Sequence, residues 1–165
     1  MLSPDIRQGS SRLTMDIVVE TRTARRIPNG QEFDVAPHER NMATDLPRQF
    51  PFPCVYRTAI NPIYNCHGLT FASRRTWIYD ADSIRNILQD DCYDRIAKEA
   101  DVLPGDIVLY VTADGDIEHS GIVVSRASQF APPTVCSKWG KAAEVVHLAS
   151  TSPYRGTCVY YRVNR

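Results

Sequence analysis

The chain has 165 residues, 43% of them hydrophobic, with 19 Lys+Arg against 19 Asp+Glu. That apolar share supports one folded domain with a real core and excludes wholesale disorder. A net charge of zero excludes a general polyanion binder, because neutralising phosphates needs clustered Lys and Arg, so no nucleic-acid partner is expected.

Residues 1–14 are polar and predict a loose terminus. The opening MLSPDIRQGSSRLTMDIVVE has no apolar stretch after a basic start, so no ordinary secretory signal is expected. Apolar runs are as short as Ile107 to Val111, so no membrane span is expected either. Residues 15–20 read as a short strand, because Ile17, Val18 and Val19 are β-branched. Residues 25–53 show no sustained periodicity. They carry Pro28, Gly30, Pro37, Pro47, Pro51 and Pro53 and read as an irregular arm. Residues 1–54 are therefore expected to form an arm with a short strand, and 55–165 the domain that carries the chemistry.

Within that domain, Cys66 to about residue 79 reads as a helix with Leu69, Ala72 and Thr76 on one stripe. Asp80 or Asp82 is placed to cap a second helix, in which Ile84, Ile87, Leu88 and Ile96 repeat with a period near 3.6, ending by Glu99. Pro104-Gly105 is a stop. Short strands follow at about 106–111, 119–125, 134–139, 144–148 and 158–163. Asp114-Gly115-Asp116 signals a hairpin between the first two. Two helices followed by a run of antiparallel strands predict an α+β fold.

Cys66 sits at the start of its helix, where unpaired N–H groups and the helix dipole favour thiolate, the nucleophilic form. Gly68 is expected to let a substrate backbone approach. His119 starts an apolar strand, with Gly121 on the same face leaving room beside the ring. A neutral imidazole there can take a thiol proton and return it to a leaving group. The bland alternatives are a thiol that only packs and a half-buried structural histidine. Five cysteines without a CxxC spacing fit neither a disulfide framework nor a zinc module, so no metal and no cofactor are expected. Cys92, Cys136 and Cys158 read as core, and Cys54 has no assigned role.

Asn65-Cys66-His67-Gly68-Leu69, then Pro104-Gly105-Asp106-Ile107, then His119-Ser120-Gly121-Ile122 resemble the motifs of the NlpC/P60 and CHAP group of papain-like cysteine hydrolases. The resemblance covers residues 56 to 165, about two thirds of the chain. It implies a papain-like α+β domain, in which an N-terminal helical part carries the Cys and an antiparallel sheet or partial barrel carries the His. It also implies a cysteine peptidase or amidase acting through a thioester, with Cys66 as nucleophile and His119 as base and then acid. Tyr56, Asn65 and His67 become candidates for substrate contact. The third residue, which would orient the imidazole, falls by position on Ser137, with His147 and Glu144 as alternatives. The implied substrate is an amide in a peptide, such as a bacterial cell-wall peptide. Cytoplasmic action, or export as a toxin with a carrier or immunity protein on the arm, would both fit. The competing readings are an inactive binding module on the same scaffold and a cytoplasmic acyltransferase or deamidase that modifies proteins.

Overall fold

A computed structural model describes residues 16–164. The reading of residues 1–14 as loose lies outside them. Among the described residues, three helices accompany one sheet: α1 (Pro37–Gln49), α2 (Cys66–Phe71) and α3 (Ala81–Asp90). The strands are β1 (Cys54–Tyr56), β2 (Tyr93–Arg95), β3 (Ile107–Val111), β4 (Ile117–Ser125), β5 (Thr134–Lys138), β6 (Glu144–Leu148) and β7 (Thr157–Val163). All pair antiparallel in the order β1-β6-β5-β4-β3-β7-β2. The fold is therefore α+β, and the five strands expected from the pattern are present.

The arm is less irregular than its prolines suggest. Pro37 occupies the first turn of α1, where its missing N–H is no loss, and the Glu39 carboxylate accepts from the Ala36 N–H at 2.8 Å. No residue of this 13-residue helix is fully buried, so its apolar stripe was faint. Around residue 20 the chain forms only an isolated bridge, Glu20 to Arg26, and builds no strand.

Both central helices end earlier than expected. Ser73 and Arg74 take positive φ (50° and 66°), and the N–H groups of Ala72 and Arg74 both reach the Gly68 carbonyl, which closes α2 after six residues. Asp80 does cap α3, accepting from the Ser83 N–H at 2.7 Å. Cys92 takes φ 59° and turns the chain into β2, so Ile96 leaves the helix and packs under the sheet. Cys92 is exposed, which corrects its reading as core.

The sheet is covered on both faces. Ile84, Ile87, Ala72 and Ile78 pack on Leu109 and Ile117 from the side of α2 and α3, with Val19 and Ile27 from the arm. Val108, Tyr110, Val123, Val135 and Tyr160 form the opposite layer with Val102 and Ala149. Beside that layer, Ala43, Leu46 and Phe50 bring α1 against Trp139, Ala143 and Val145. Asp106 closes the Pro104-Gly105 turn by accepting from the Leu103 N–H at 2.6 Å, and it pairs with Arg162 at 2.7 Å.

Gly68 has a different task from the one expected. A Cβ there would lie 1.7 Å from the Thr76 carbonyl oxygen and 3.1 Å from Tyr64 Cβ. Its bare backbone admits the Thr76 chain, not a substrate. Gly68→Ala is expected to cost more than about 3 kcal/mol, because the clashing atom is main chain and cannot swing away. Urea denaturation of the variant measures this, and wild-type stability would refute the packing.

Candidate functional site

Cys66 begins α2 because Asn65 caps it. The Asn65 side-chain oxygen accepts from the Gly68 N–H at 2.9 Å and the Ile78 N–H at 3.3 Å, while its amide donates to the Ile78 carbonyl at 2.8 Å. Asn65 is thus engaged by the chain itself through both its side-chain oxygen and its amide nitrogen. The Cys66 sulfur faces the N–H groups of Ser120 and His67, and the Ser120 hydroxyl. These favour thiolate, yet burial outweighs them and pushes the thiol up to about 11. The expected activation by the helix start is therefore overridden in this closed arrangement, where Cys66 is 8% exposed.

His119 lies on β4 opposite Tyr110, just where a bulge shifts the β3–β4 register. The β4–β5 ladder begins only at Gly121 opposite Ser137, so His119 and Ser120 stand beyond its last pair. The ring is fully buried, stacked on Tyr154 with centroids 3.8 Å apart and planes 11° apart, and tilted against Tyr110 at 5.3 Å. Neither ring nitrogen has a hydrogen-bond partner among the described residues. Burial, then the nearby His67 and His147, hold its pKa well below the ordinary histidine range. Cys66 and His119 share two neighbours. Ser120, the residue after His119, faces the sulfur, and the Tyr154 hydroxyl is pushed up by burial and by the Cys66 charge. No hydrogen bond joins the thiol to the imidazole.

Tyr154 was not legible in the sequence. It lies in the irregular stretch between β6 and β7, and no periodicity marks it. Ser120 was within reach, since strand alternation turns it to the α2 side of β4, opposite His119. There its hydroxyl meets His67 Nδ1 at 2.9 Å and Thr70 Oγ1 at 3.0 Å. His67 is therefore buried, not a surface or free substrate-contacting group, and burial brings it down to about 4.

The three candidates for orienting His119 are bonded elsewhere. Ser137 Oγ lies 2.8 Å from His147 Nε2 and accepts from Trp139 Nε1 at 3.1 Å. The other His147 nitrogen lies 2.8 Å from the Leu148 carbonyl, and burial lowers the His147 pKa. Glu144 accepts from the Tyr64 hydroxyl at 2.7 Å and pairs with Arg74 at 2.5 Å. Burial raises its carboxyl, but Arg74 and Tyr64 outweigh burial and hold it below the ordinary range. Lys138 is buried beside them and donates to the carbonyls of Asn61, Gly140 and Ala142, while burial brings its ammonium down to about 7. This group pins the turn before Cys66 to the β5–β6 turn.

Tyr56 is placed on β1, edge-on to Trp139 at 6.0 Å. Burial, with Cys54 beside it, pushes its hydroxyl up to about 12. It packs the α1 side of the sheet instead of lining the thiol. Gly121 likewise serves the sheet, since a Cβ there would meet the Cys136 carbonyl at 3.0 Å and Ser137 Cβ at 3.2 Å. All five cysteines carry free thiols. Among the described residues no cluster of three or more His, Cys, Asp or Glu is placed to hold a metal ion, and no helix is long and apolar enough to cross a membrane.

Compared with family models, curated proteins and solved structures, the chain matches none.

Proposed function

We propose that the chain is a thiol hydrolase of papain-like type that cleaves an amide through Cys66 and His119. The observation that carries this reading is His119 itself. A fully buried imidazole with both nitrogens unpartnered among the described residues loses about 1–3 kcal/mol per unsatisfied group. It sits one residue from the main chain that the Cys66 sulfur faces. In the reaction, a nitrogen of His119 takes the thiol proton as the sulfur attacks the amide carbonyl. The tetrahedral oxyanion draws on backbone N–H groups at the start of α2. Collapse breaks the C–N bond, and His119 protonates the departing amine. Water then attacks the thioester and gives a proton to His119, the C–S bond breaks as His119 returns that proton to the sulfur, and the product acid ionises to a carboxylate.

The site as built is closed, so a substrate reaches it only when Tyr154 swings off the His119 ring. A peptide amide is the substrate class; its placement in a cell wall rests on the motif resemblance alone. The binding-module reading is favoured by the buried thiol held near 11, by the lack of a hydrogen bond between Cys66 and His119, and by Ser137, His147 and Glu144 all bonding elsewhere.

Acylation separates the two. Incubation with 4-nitrophenyl acetate should add one acetyl group to the protein, seen by intact mass, and peptide mapping should place it on Cys66. Acetylation confined to the exposed Cys92 would leave the binding module as the better reading.

A further inference from the structure

A cavity of about 430 Å³ lies between α1 and the sheet. Its walls are Met42, Ala43 and Leu46 of α1 on one side and Trp77, Trp139 and Tyr154 on the other. One aromatic wall, Tyr154, touches His119 directly, and the other two are fixed by hydrogen bonds to neighbouring turns and strands. Trp77 Nε1 donates to the Pro62 carbonyl at 2.6 Å, in the turn that leads to Cys66. Trp139 Nε1 donates to Ser137 Oγ. Tyr154 is the partition itself, lining the cavity while its ring stacks on His119.

The lining is mostly apolar, and its charged residues are neutralised by pairing. Glu39 and Lys141, the charged residues there, pair with each other at 3.0 Å, and Lys141 also pairs with Glu32 at 2.5 Å. No unpaired cation on this wall selects a carboxylate. Met42 remains 69% exposed beside the opening, and α1 buries none of its residues completely. A helix that lies over a space without filling it forms the wall of a pocket.

We infer that this cavity is the specificity pocket of the hydrolase, and that it receives an uncharged apolar group, aromatic or short aliphatic, adjoining the scissile amide. The inference rests on the reading of Cys66 as nucleophile for calling the occupant a substrate. The size suits a single side chain or acyl group and not a folded partner. It assigns the arm before residue 55 a task, since α1 supplies half of the wall. A strongly charged peptide is a poor occupant, because its charge would lose water against Trp and Met side chains.

The chain holds two tryptophans, and both line the cavity, so their fluorescence reports on it. The probe is N-butylbenzamide, a neutral amide with an apolar group on each side, titrated into the wild type and into Cys66→Ala. Hippurate, which keeps the ring and amide but adds a carboxylate, is the control. Saturable binding of the neutral amide to both proteins is expected, at least tenfold tighter than hippurate. Ala43→Phe, which fills the cavity, and Met42→Asp, at an exposed position that the fold tolerates, should each weaken it at least tenfold. No saturable change in the wild type, equal binding of hippurate, or wild-type binding by both variants would overturn the pocket. Because Cys66→Ala binds without turning over, a failure of acylation removes the nucleophile and leaves this result standing.

Discussion

Cys66→Ala is expected to lower thiol-dependent hydrolysis by at least about a thousandfold while the far-UV circular dichroism and urea midpoint stay close to wild type. The substitution removes one sulfur from a small buried site and leaves the Asn65 cap of α2 in place. His119→Ala should cost about 10²–10⁴-fold, because it removes the imidazole assigned as base and then acid. Ser137→Ala is the informative contrast. Ser137 bonds His147 and Trp139 in this structure, so its loss should reduce turnover by less than about tenfold while lowering stability. A collapse of kcat in Ser137→Ala with stability unchanged would mean that Ser137 turns to His119 in the working state. Full activity in Cys66→Ala would end the hydrolase reading.

Acidification from pH 7.5 to pH 5 is expected to destabilise the fold by roughly 2 kcal/mol through His67 alone, with His119 and His147 adding in the same direction. Each is held below the ordinary histidine pKa, chiefly by burial. The unfolded chain therefore binds protons below about pH 6.5 that the folded chain refuses. Stability is complete above that range and is lost as pH falls toward the folded values, about 4 for His67. Asp80 and Asp116 face His67 and resist its shift, but burial prevails. Carboxylates of ordinary pKa stay ionised over most of this window, while Lys138, brought down to about 7 by burial, adds in the same direction near the top of it. Urea denaturation at the two pH values measures the effect, and His67→Gln should flatten the slope by about one proton. Unchanged stability between pH 7.5 and 5 would show that these imidazoles are not buried neutral.

The strands were legible because β3 to β7 alternate or run apolar between Gly and Pro punctuation, and that signal is local. The ends of α2 and α3 were not, because positive φ at Ser73, Arg74 and Cys92 has no Gly or Asn to announce it. Helix α1 was missed because no residue of it is fully buried, which left little period to find. The order of the motifs singled out Cys66 and His119, on which the proposed chemistry rests. The role of Gly68 was misread and the partners of Gly121 and Ser137 were not legible, because each touches main chain or side chains distant in sequence: Thr76, Cys136 and His147.

The sequence by itself determined the α+β class, the hairpin at Asp114-Gly115-Asp116, a cap at Asp80 or Asp82 and the two residues on which the chemistry is proposed. Those are local matters of periodicity, turn chemistry and residue type. Only the tertiary structure decided that the thiol is buried and held protonated, that Tyr154 stacks over the imidazole, and that α1 walls an apolar cavity beside them. Burial sets the charge of Cys66 and His119 through desolvation, and desolvation depends on what the whole chain stacks around a group.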